Sequence, residues 1–274
     1  MNELEYNAAP GIRRSDLWKI SDSPEKFRYA MDNPEEERSP ALVFGSAAHK
    51  LLLEPTEFFL EYAVLPDGID RRTKEGKARY AEFLEREAGK EILDAETFDT
   101  IRNMAMKVMA SPMAVKLLAG RREQPFFWTD PDTGVECKVK VDCLTWLEGE
   151  EIPVIVDYKT AKSAKTEAFM RDAYNYGYHL QAAMYSEAVM RKMNLKERPM
   201  FVFLIQEKEP PYSINLVAVP EDTMNYGLDT FRELLGIYKH CCETGVWYGY
   251  EGATGQPNEL SLPGWLKKES EKSE

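Results

Sequence analysis

The chain has 274 residues, 43% of them hydrophobic, enough to bury a sizeable core as one large domain or a domain with insertions. Its net charge of −12 excludes a generally basic surface, so any nucleic-acid partner requires lysines and arginines gathered into one groove or channel. No run of about 18 apolar residues occurs, and Met1-Asn2-Glu3-Leu4-Glu5 lacks a basic segment followed by an apolar one, so the expectation is a cytoplasmic protein without membrane contact.

In chain order, residues 1–10 read as a loose arm. Ser15 is placed to cap a helix carrying Leu17, Trp18 and Ile20. A second short helix follows Ser23-Pro24, with Phe27 and Tyr29, or Tyr29 and Met31, turned inward. Residues 32–40 form an acidic exposed loop, and 40–54 an apolar helix stopped by Pro55. On that helix Gly45 and His49 lie one turn apart, so the missing side chain leaves room beside the imidazole. A lone histidine in an apolar helix is, by itself, ordinarily a core residue.

Residues 66–80 hold the densest basic cluster, in which Arg71, Arg72, Lys74, Lys77 and Arg79 surround Glu75. By composition it is a solvated loop leading into a helix over 78–88. Residues 94–118 form one or two helices with Ile101, Met104, Val108 and Met109 as a core stripe, closed by Gly120. Residues 124–129 begin a meander, turned by Asp130-Pro131-Asp132-Thr133-Gly134 into a second strand. Glu123, just before it, has two readings, an aid to a metal site or a surface residue, and the second is preferred.

From Gly134 to Leu144 polar and apolar residues alternate, a period of two. Asp142 then shares a face with Lys138 and Lys140, while Val139, Val141 and Cys143 face the other way. The β-branched run Pro153-Val154-Ile155-Val156-Asp157-Tyr158-Lys159-Thr160 reads as a buried strand whose Asp157 and Lys159 emerge together where the apolar run stops. The connection through Gly149 and Pro153 is short, which lays the two strands side by side as a hairpin. Asp142 and Asp157 can then bind one hard cation, and magnesium suits few protein oxygens, with water and phosphate completing its shell.

Residues 166–193 read as one long helix, with Tyr178, Gln181 and Tyr185 on a single stripe and His179 off it. Residues 200–205 form a fully buried strand beside the Asp157 strand, and 213–219 an antiparallel edge. A helix over 221–243, with Leu228, Phe231, Leu234, Leu235 and Tyr238 on one face, closes the fold. Four cysteines in a chain of this length make no disulfide framework, and Cys137 and Cys143 read as small buried hydrophobes.

Taken in order, Asp142 and then Asp157-Tyr158-Lys159 resemble the signature of PD-(D/E)xK nucleases, with Val141 where that signature has its proline. Gly45-Ser46-Ala47-Ala48-His49 is similar to the Gly-x-x-x-His motif of the RecB-type branch, and Gln181-Ala182-Ala183-Met184-Tyr185 to its Gln-x-x-x-Tyr motif. Gly11-Ile12, Ser15, Leu17, Ser23-Pro24, Tyr29, Phe44-Gly45-Ser46-Ala47 and Leu53-Glu54-Pro55 resemble the nuclease domain of the RecE exonuclease (exonuclease VIII) and its phage relatives. The likeness runs from Tyr6 to Leu204.

The resemblance implies an α/β (mixed α+β) restriction-endonuclease-like fold, a central mixed sheet flanked by helices. It implies one domain over residues 1–245: a helical part at 10–120, a catalytic sheet core at 121–220 and the closing helix. Residues 246–274 would be a mobile tail or an intersubunit arm. By the same likeness Asp142, Asp157 and Lys159 are catalytic. Mg²⁺ (or Mn²⁺) is held by Asp142, Asp157, His49 and the Tyr158 carbonyl, with Thr160 a candidate accessory residue. Gln181 and Tyr185 contact DNA, and Arg72, Lys74 and Lys77 contact phosphate.

The implied activity is 5′-to-3′ degradation of double-stranded DNA ends, leaving 3′ overhangs for phage-type recombination in prophages. It is carried out by a homo-oligomeric ring (trimer or tetramer) beside a RecT-like single-strand annealing partner. Alternatives are another RecB-type nuclease, endonucleolytic or single-strand-specific, and a catalytically silent DNA-binding scaffold. The intact Asp142/Asp157/Lys159 set argues against the last. Some RecB-type relatives hold an iron–sulfur cluster through four cysteines; the Cys241-Cys242 doublet and the two strand cysteines lack that spacing, so no cluster is expected. Without a Gly-rich phosphate loop, no ATP use is expected either.

Overall fold

The pairing order of five strands decides where this chain can do chemistry. The computed structural model describes residues 3–34, 39–252, 255, 257 and 259–261. Its first part is mainly helical: α1 (Glu3–Ala8), α2 (Arg14–Asp22), α3 (Pro24–Asp32), α4 (Pro40–Leu53) and α5 (Phe58–Glu61). There follow β1 (Tyr62–Val64), α6 (Lys74–Arg86) and β2 (Glu91–Leu93), with β1 and β2 pairing in parallel, then α7 (Ala95–Met109) and α8 (Pro112–Leu117). The rest runs β3 (Arg121–Thr129), β4 (Glu136–Thr145), β5 (Val154–Ala161), α9 (Thr166–Asn175), α10 (Tyr178–Met193), β6 (Met200–Glu207), β7 (Ile214–Ala218) and α11 (Glu221–Thr244).

The main sheet has the order β3-β4-β5-β6-β7, and only β5 and β6 run parallel. A parallel pair needs a crossover, which α9 and α10 supply. Alternation along the central strands fills two cores. Ile155, Phe201, Phe203 and Ile205 pack with Leu17, Leu180, Met184, Phe231 and Leu235 beneath α2, α10 and α11. Val154, Val156, Tyr158, Val202 and Leu204 pack with Ala47, Leu52, Ile101, Val108 and Leu117 beneath α4, α7 and α8. The expected α/β architecture, a mixed sheet between helical layers, is the observed one.

Several local expectations are corrected, each by a long-range contact. Residues 3–8 are helical rather than loose, because the Lys138 ammonium donates to the carbonyls of Tyr6, Asn7 and Ala9 at 2.9, 3.1 and 2.5 Å. Helix α2 begins before Ser15: the Arg13 backbone N–H donates to Asp16 Oδ2 at 3.0 Å, so Asp16 does the capping. On α3 Phe27 is buried, but Tyr29 and Met31 are exposed, since only one face meets α11 and Trp247. Helix α6 starts at Lys74, four residues early, capped by the Thr73 hydroxyl accepting from Gly76 N–H at 2.9 Å.

The stretch 166–193 is two helices. Gly177, at φ 66°, breaks them, and a Cβ there would meet the Trp18 ring at 2.4 Å. Past Gly245, Trp247 packs on Phe27 and Tyr238, and Glu25 N–H donates to the Tyr248 carbonyl at 3.1 Å. Residues 246–252 therefore lie against α3 and α11, while most of 253–274 lies outside the described residues.

Candidate active site

Strand β4 pairs with β5 only through Cys143↔Val156, Leu144↔Ile155 and Thr145↔Val154. Beyond Cys143 the next rung would set Asp142 against Asp157, and there the two strands part. On its other edge β4 pairs with β3 at Arg122↔Cys143 and Gln124↔Val141, skipping the Glu123–Asp142 rung. Glu123 is held at φ 49°, in the left-handed region that a residue with a Cβ occupies only at a steric cost. Asp142 thus sits at a fork without a cross-strand partner on either side. Its Oδ2 takes the backbone N–H of Tyr158 at 2.8 Å in place of a ladder bond.

The fork corrects the strict alternation expected of β4. Cys137, Val139 and Val141 belong to the core under α10, but Cys143 belongs to the other. The face changes at Asp142, and this leaves its carboxylate in the opening.

Other elements deliver groups to the same opening. Helix α4 brings His49, whose Nδ1 lies 3.4 Å from Asp142 Oδ2 and whose ring is 4.9 Å from that of Tyr158. A hydrogen bond to the Tyr158 backbone orients it. Helix α10 brings Gln181, whose amide donates to Asp157 Oδ1. Lys159 Nζ stands 2.6 Å from Asp157 Oδ2 and 4.9 Å from the centre of the Tyr178 ring. The outer half of the β4 edge, vacated by β5, is taken by the N-terminal segment: Ile12 N–H donates to Glu136 O at 2.8 Å, and the Ile12 carbonyl accepts from Lys138 N–H at 3.0 Å. That strap carries Arg13 and Arg14 into the fork. The Arg14 guanidinium donates to Gln181 Oε1 at 3.1 Å and to the Tyr176 carbonyl at 2.9 Å.

Electrostatics mark the place. Asp142 is raised above the ordinary carboxylate range by burial and then by the charge of Asp157. Glu123 is pushed up to about 7 by burial and by Asp142, although Lys140 sits 2.8 Å away. Burial, and then the charge of Lys159, pushes His49 down to about 4, so its imidazole is neutral at physiological pH and free to act as a ligand.

These residues fit a divalent ion. Ligand atoms of His49, Glu123 and Asp142 all lie within 4.8 Å of one another. Asp157 Oδ2 is buried and, despite the nearby ammonium, receives no donor in hydrogen-bond geometry. A buried carboxylate oxygen with no hydrogen bond, balanced by the Lys159 ammonium in a crowd of acids, is one that a hard cation would also satisfy.

A cleft of about 910 Å³ opens on one side of the fork, lined by His49, Glu123, Asp142, Lys159 and Thr160. A smaller chamber of about 280 Å³ lies on the other, lined by Arg14, Asp157, Gln181 and Tyr185. Seven cations border the two: Arg13, Arg14, Lys50, Lys138, Lys140, Lys159 and Lys208. The same linings hold Glu54, Glu61, Glu123, Asp142 and Asp157, and Lys50, Lys140 and Lys159 are ion-paired with acids, so the groove is mixed in charge with a small excess of cations.

Comparison with known proteins bears on the same architecture. Residues 14–255 match the family described as a PDDEXK-like domain of unknown function (DUF3799). This chain belongs to that PDDEXK-like family. A crystal structure from Eubacterium rectale, of a protein named "Putative exonuclease", aligns over 98% of this chain and 97% of its own, with a TM-score of 0.61 at 13% identity, a likeness of fold. The solved structure of SSO0001 aligns over 85% and 81% with a TM-score of 0.40 at 11% identity. No curated protein sequence matches the chain.

Within this PDDEXK-like domain the residues singled out from sequence fall into two groups. His49, Asp142, Asp157, Tyr158, Lys159, Thr160, Gln181 and Tyr185 meet at the fork or line its clefts. Glu123 joins them and is not the surface residue preferred from sequence. Arg72, Lys74 and Lys77 do not: they lie exposed at the start of α6, Arg72 paired with Asp70 at 2.9 Å, away from both cleft linings. Arg13, Arg14 and Lys140 take their place beside the acids. Sequence carries no signal for Arg14, because the partner that fixes it, Gln181, is 167 residues away. Among the described residues no helix is long and apolar enough to cross a membrane.

Proposed function

We propose that the protein is a divalent-metal-dependent deoxyribonuclease, with Mg²⁺ or Mn²⁺ held by Asp142, Asp157, His49 and the Tyr158 carbonyl, and with Glu123 completing the set. The observation that carries the reading is the gathering of three candidate ligands and a buried carboxylate oxygen without a hydrogen bond at one strand fork, in a cleft that Lys140 and Lys159 also line. When bound, such an ion polarises the phosphate and lowers the pKa of water beside it.

The chain's own groups supply the rest. Lys159 orients the attacking water and meets the negative charge that grows on the phosphate. Gln181 fixes the Asp157 carboxylate and is itself fixed by Arg14. Tyr185 walls the small chamber, its hydroxyl raised well above its ordinary value by burial and then by Asp157, so it stays protonated and can donate a hydrogen bond to a phosphate oxygen.

We place the activity at double-stranded DNA ends, running 5′ to 3′ and leaving 3′ overhangs for phage-type recombination. The support is the RecE-like set of N-terminal motifs, of which Gly11-Ile12 lies in the strap that fills the β4 edge and Ser15 lines the smaller chamber. A ring of three or four subunits and a RecT-like annealing partner rest on the same likeness. End-labelled linear and closed-circular duplexes test the reading, incubated with wild type in Mg²⁺, Mn²⁺ or EDTA. Metal-dependent loss of 5′ label from linear DNA alone is expected. Cutting of circles would make it an endonuclease, and binding without degradation would make it a scaffold.

A further inference from the structure

The short turn between α9 and α10 has no part in holding the acids, yet it stands at the mouth of the larger cleft. It carries Tyr176, and the last turn of α9 just before it carries Tyr174; the two rings are 57% and 63% exposed, unusual for two large rings so close together. The turn is rigid. Tyr176 N–H donates to Asp172 O at 2.8 Å, the Tyr176 carbonyl accepts from Arg14, and Gly177 is pinned under the Trp18 ring. From Tyr176 an aromatic and cationic path leads inward: its ring lies 5.9 Å from that of Tyr178, which in turn lies 4.9 Å from the Lys159 ammonium. Outward, Tyr174 stacks on His179 at 6.0 Å and 25°. A solvent-facing ring on a fixed turn, continuous with a row of cations, is the arrangement by which single strands are held, base on ring and phosphate on ammonium. Inside a duplex both faces of a base are covered by its stacked neighbours, so a ring of this kind is served by unpaired bases or by the terminal base of an end.

We propose that Tyr176, with Tyr174 behind it, is a stacking ridge that receives unpaired bases, so that the strand entering the fork is single-stranded where it passes the α9–α10 turn. The ridge deepens the nuclease reading on which it rests and narrows its substrate to an end that is frayed or already single-stranded. On a blunt duplex, the strand to be cut must separate from its complement before its phosphate reaches Lys159.

The test is binding in EDTA, where no cutting occurs, of single-stranded oligonucleotides bearing 2-aminopurine. Wild type should quench the fluorescence on binding. The Tyr176→Ala and Tyr174→Ala/Tyr176→Ala variants should lose the quench and bind about tenfold more weakly, while Tyr176→Trp restores both. The salt dependence of affinity should not change, since the phosphate contacts are intact. Thermal melting of the variants should match wild type, because the rings are exposed. In Mg²⁺, Tyr176→Ala should slow hydrolysis of blunt duplex more than that of a duplex with a single-stranded 5′ tail. Unchanged quench and affinity in the double variant would overturn the ridge, as would a wild type that binds no single strand. Failure of the nuclease reading looks different: wild type quenches normally but degrades no DNA in Mg²⁺ or Mn²⁺.

Discussion

Asp142 shows at single-residue scale how this site differs from a merely stable strand end. Burial and the neighbouring Asp157 both oppose its charge, so in the metal-free protein the carboxylate is retained at a cost to the fold. Asn at this position keeps an oxygen to accept the Tyr158 N–H and removes the charge. Asp142→Asn should therefore melt at or above the wild-type temperature in EDTA, while hydrolysis falls by about a hundredfold or more. A drop of several degrees would show that Asp142 is structural. The adjacency of the strands that carry Asp142 and Asp157 was legible from sequence because a short connection joins them; the spacing alone was not distinctive, since acid-x-Lys recurs at Glu75/Lys77 and Glu136/Lys138. Glu123 was not legible: its value comes from a left-handed backbone and a skipped rung, and no local pattern reports either.

At the scale of elements, the N-terminal strap does what a sixth strand would otherwise do. Lys138 is 3% exposed and holds three carbonyls at the end of α1, and the strap then runs along β4 to place Arg14. Hydrogen bonds to a charged group contribute about 1.5–3 kcal/mol each, so the loss should be local and large. Lys138→Met is expected to raise amide exchange in residues 3–9 and to weaken hydrolysis through Arg14, with exchange in β5 and β6 unchanged. Uniform loosening of the whole sheet would contradict a detachable strap. Periodicity located most helices and all five main strands, since those elements bury a continuous face. It missed α1 and the break at Gly177, which owe their shape to Lys138 and to Trp18 in distant parts of the chain. The basic cluster at 71–79 is dense in sequence, and the fold keeps it exposed at the start of α6, apart from the residues that line the two clefts.

For the molecule as a whole, one buried acid far from the site ties the β3–β4 turn to the closing helices. Burial alone would raise Asp130, but the Thr133 hydroxyl and N–H and the Arg232 guanidinium together hold it below its usual 3.8. Arg232 also reaches Glu187 on α10 at 3.0 Å. Because the folded value lies below the unfolded one, this stabilisation is complete above about pH 4 and is lost as the pH falls through the folded value. Asp130→Asn should cost about 1–3 kcal/mol at neutral pH and should flatten the decline in urea midpoint between pH 4 and pH 3. An unchanged decline would place the acid sensitivity elsewhere.

The molecule carries a net charge of −12, and seven cations stand beside five acids around one fork. That fork makes the central claim directly measurable. Release of nucleotides from a linear duplex in Mg²⁺ should be readily detected with wild type and abolished by EDTA, and it should fall about a thousandfold or more in Asp157→Ala and Lys159→Ala variants that still bind DNA. Equal release by the variants and wild type, or none by wild type in Mg²⁺ or Mn²⁺, would contradict it.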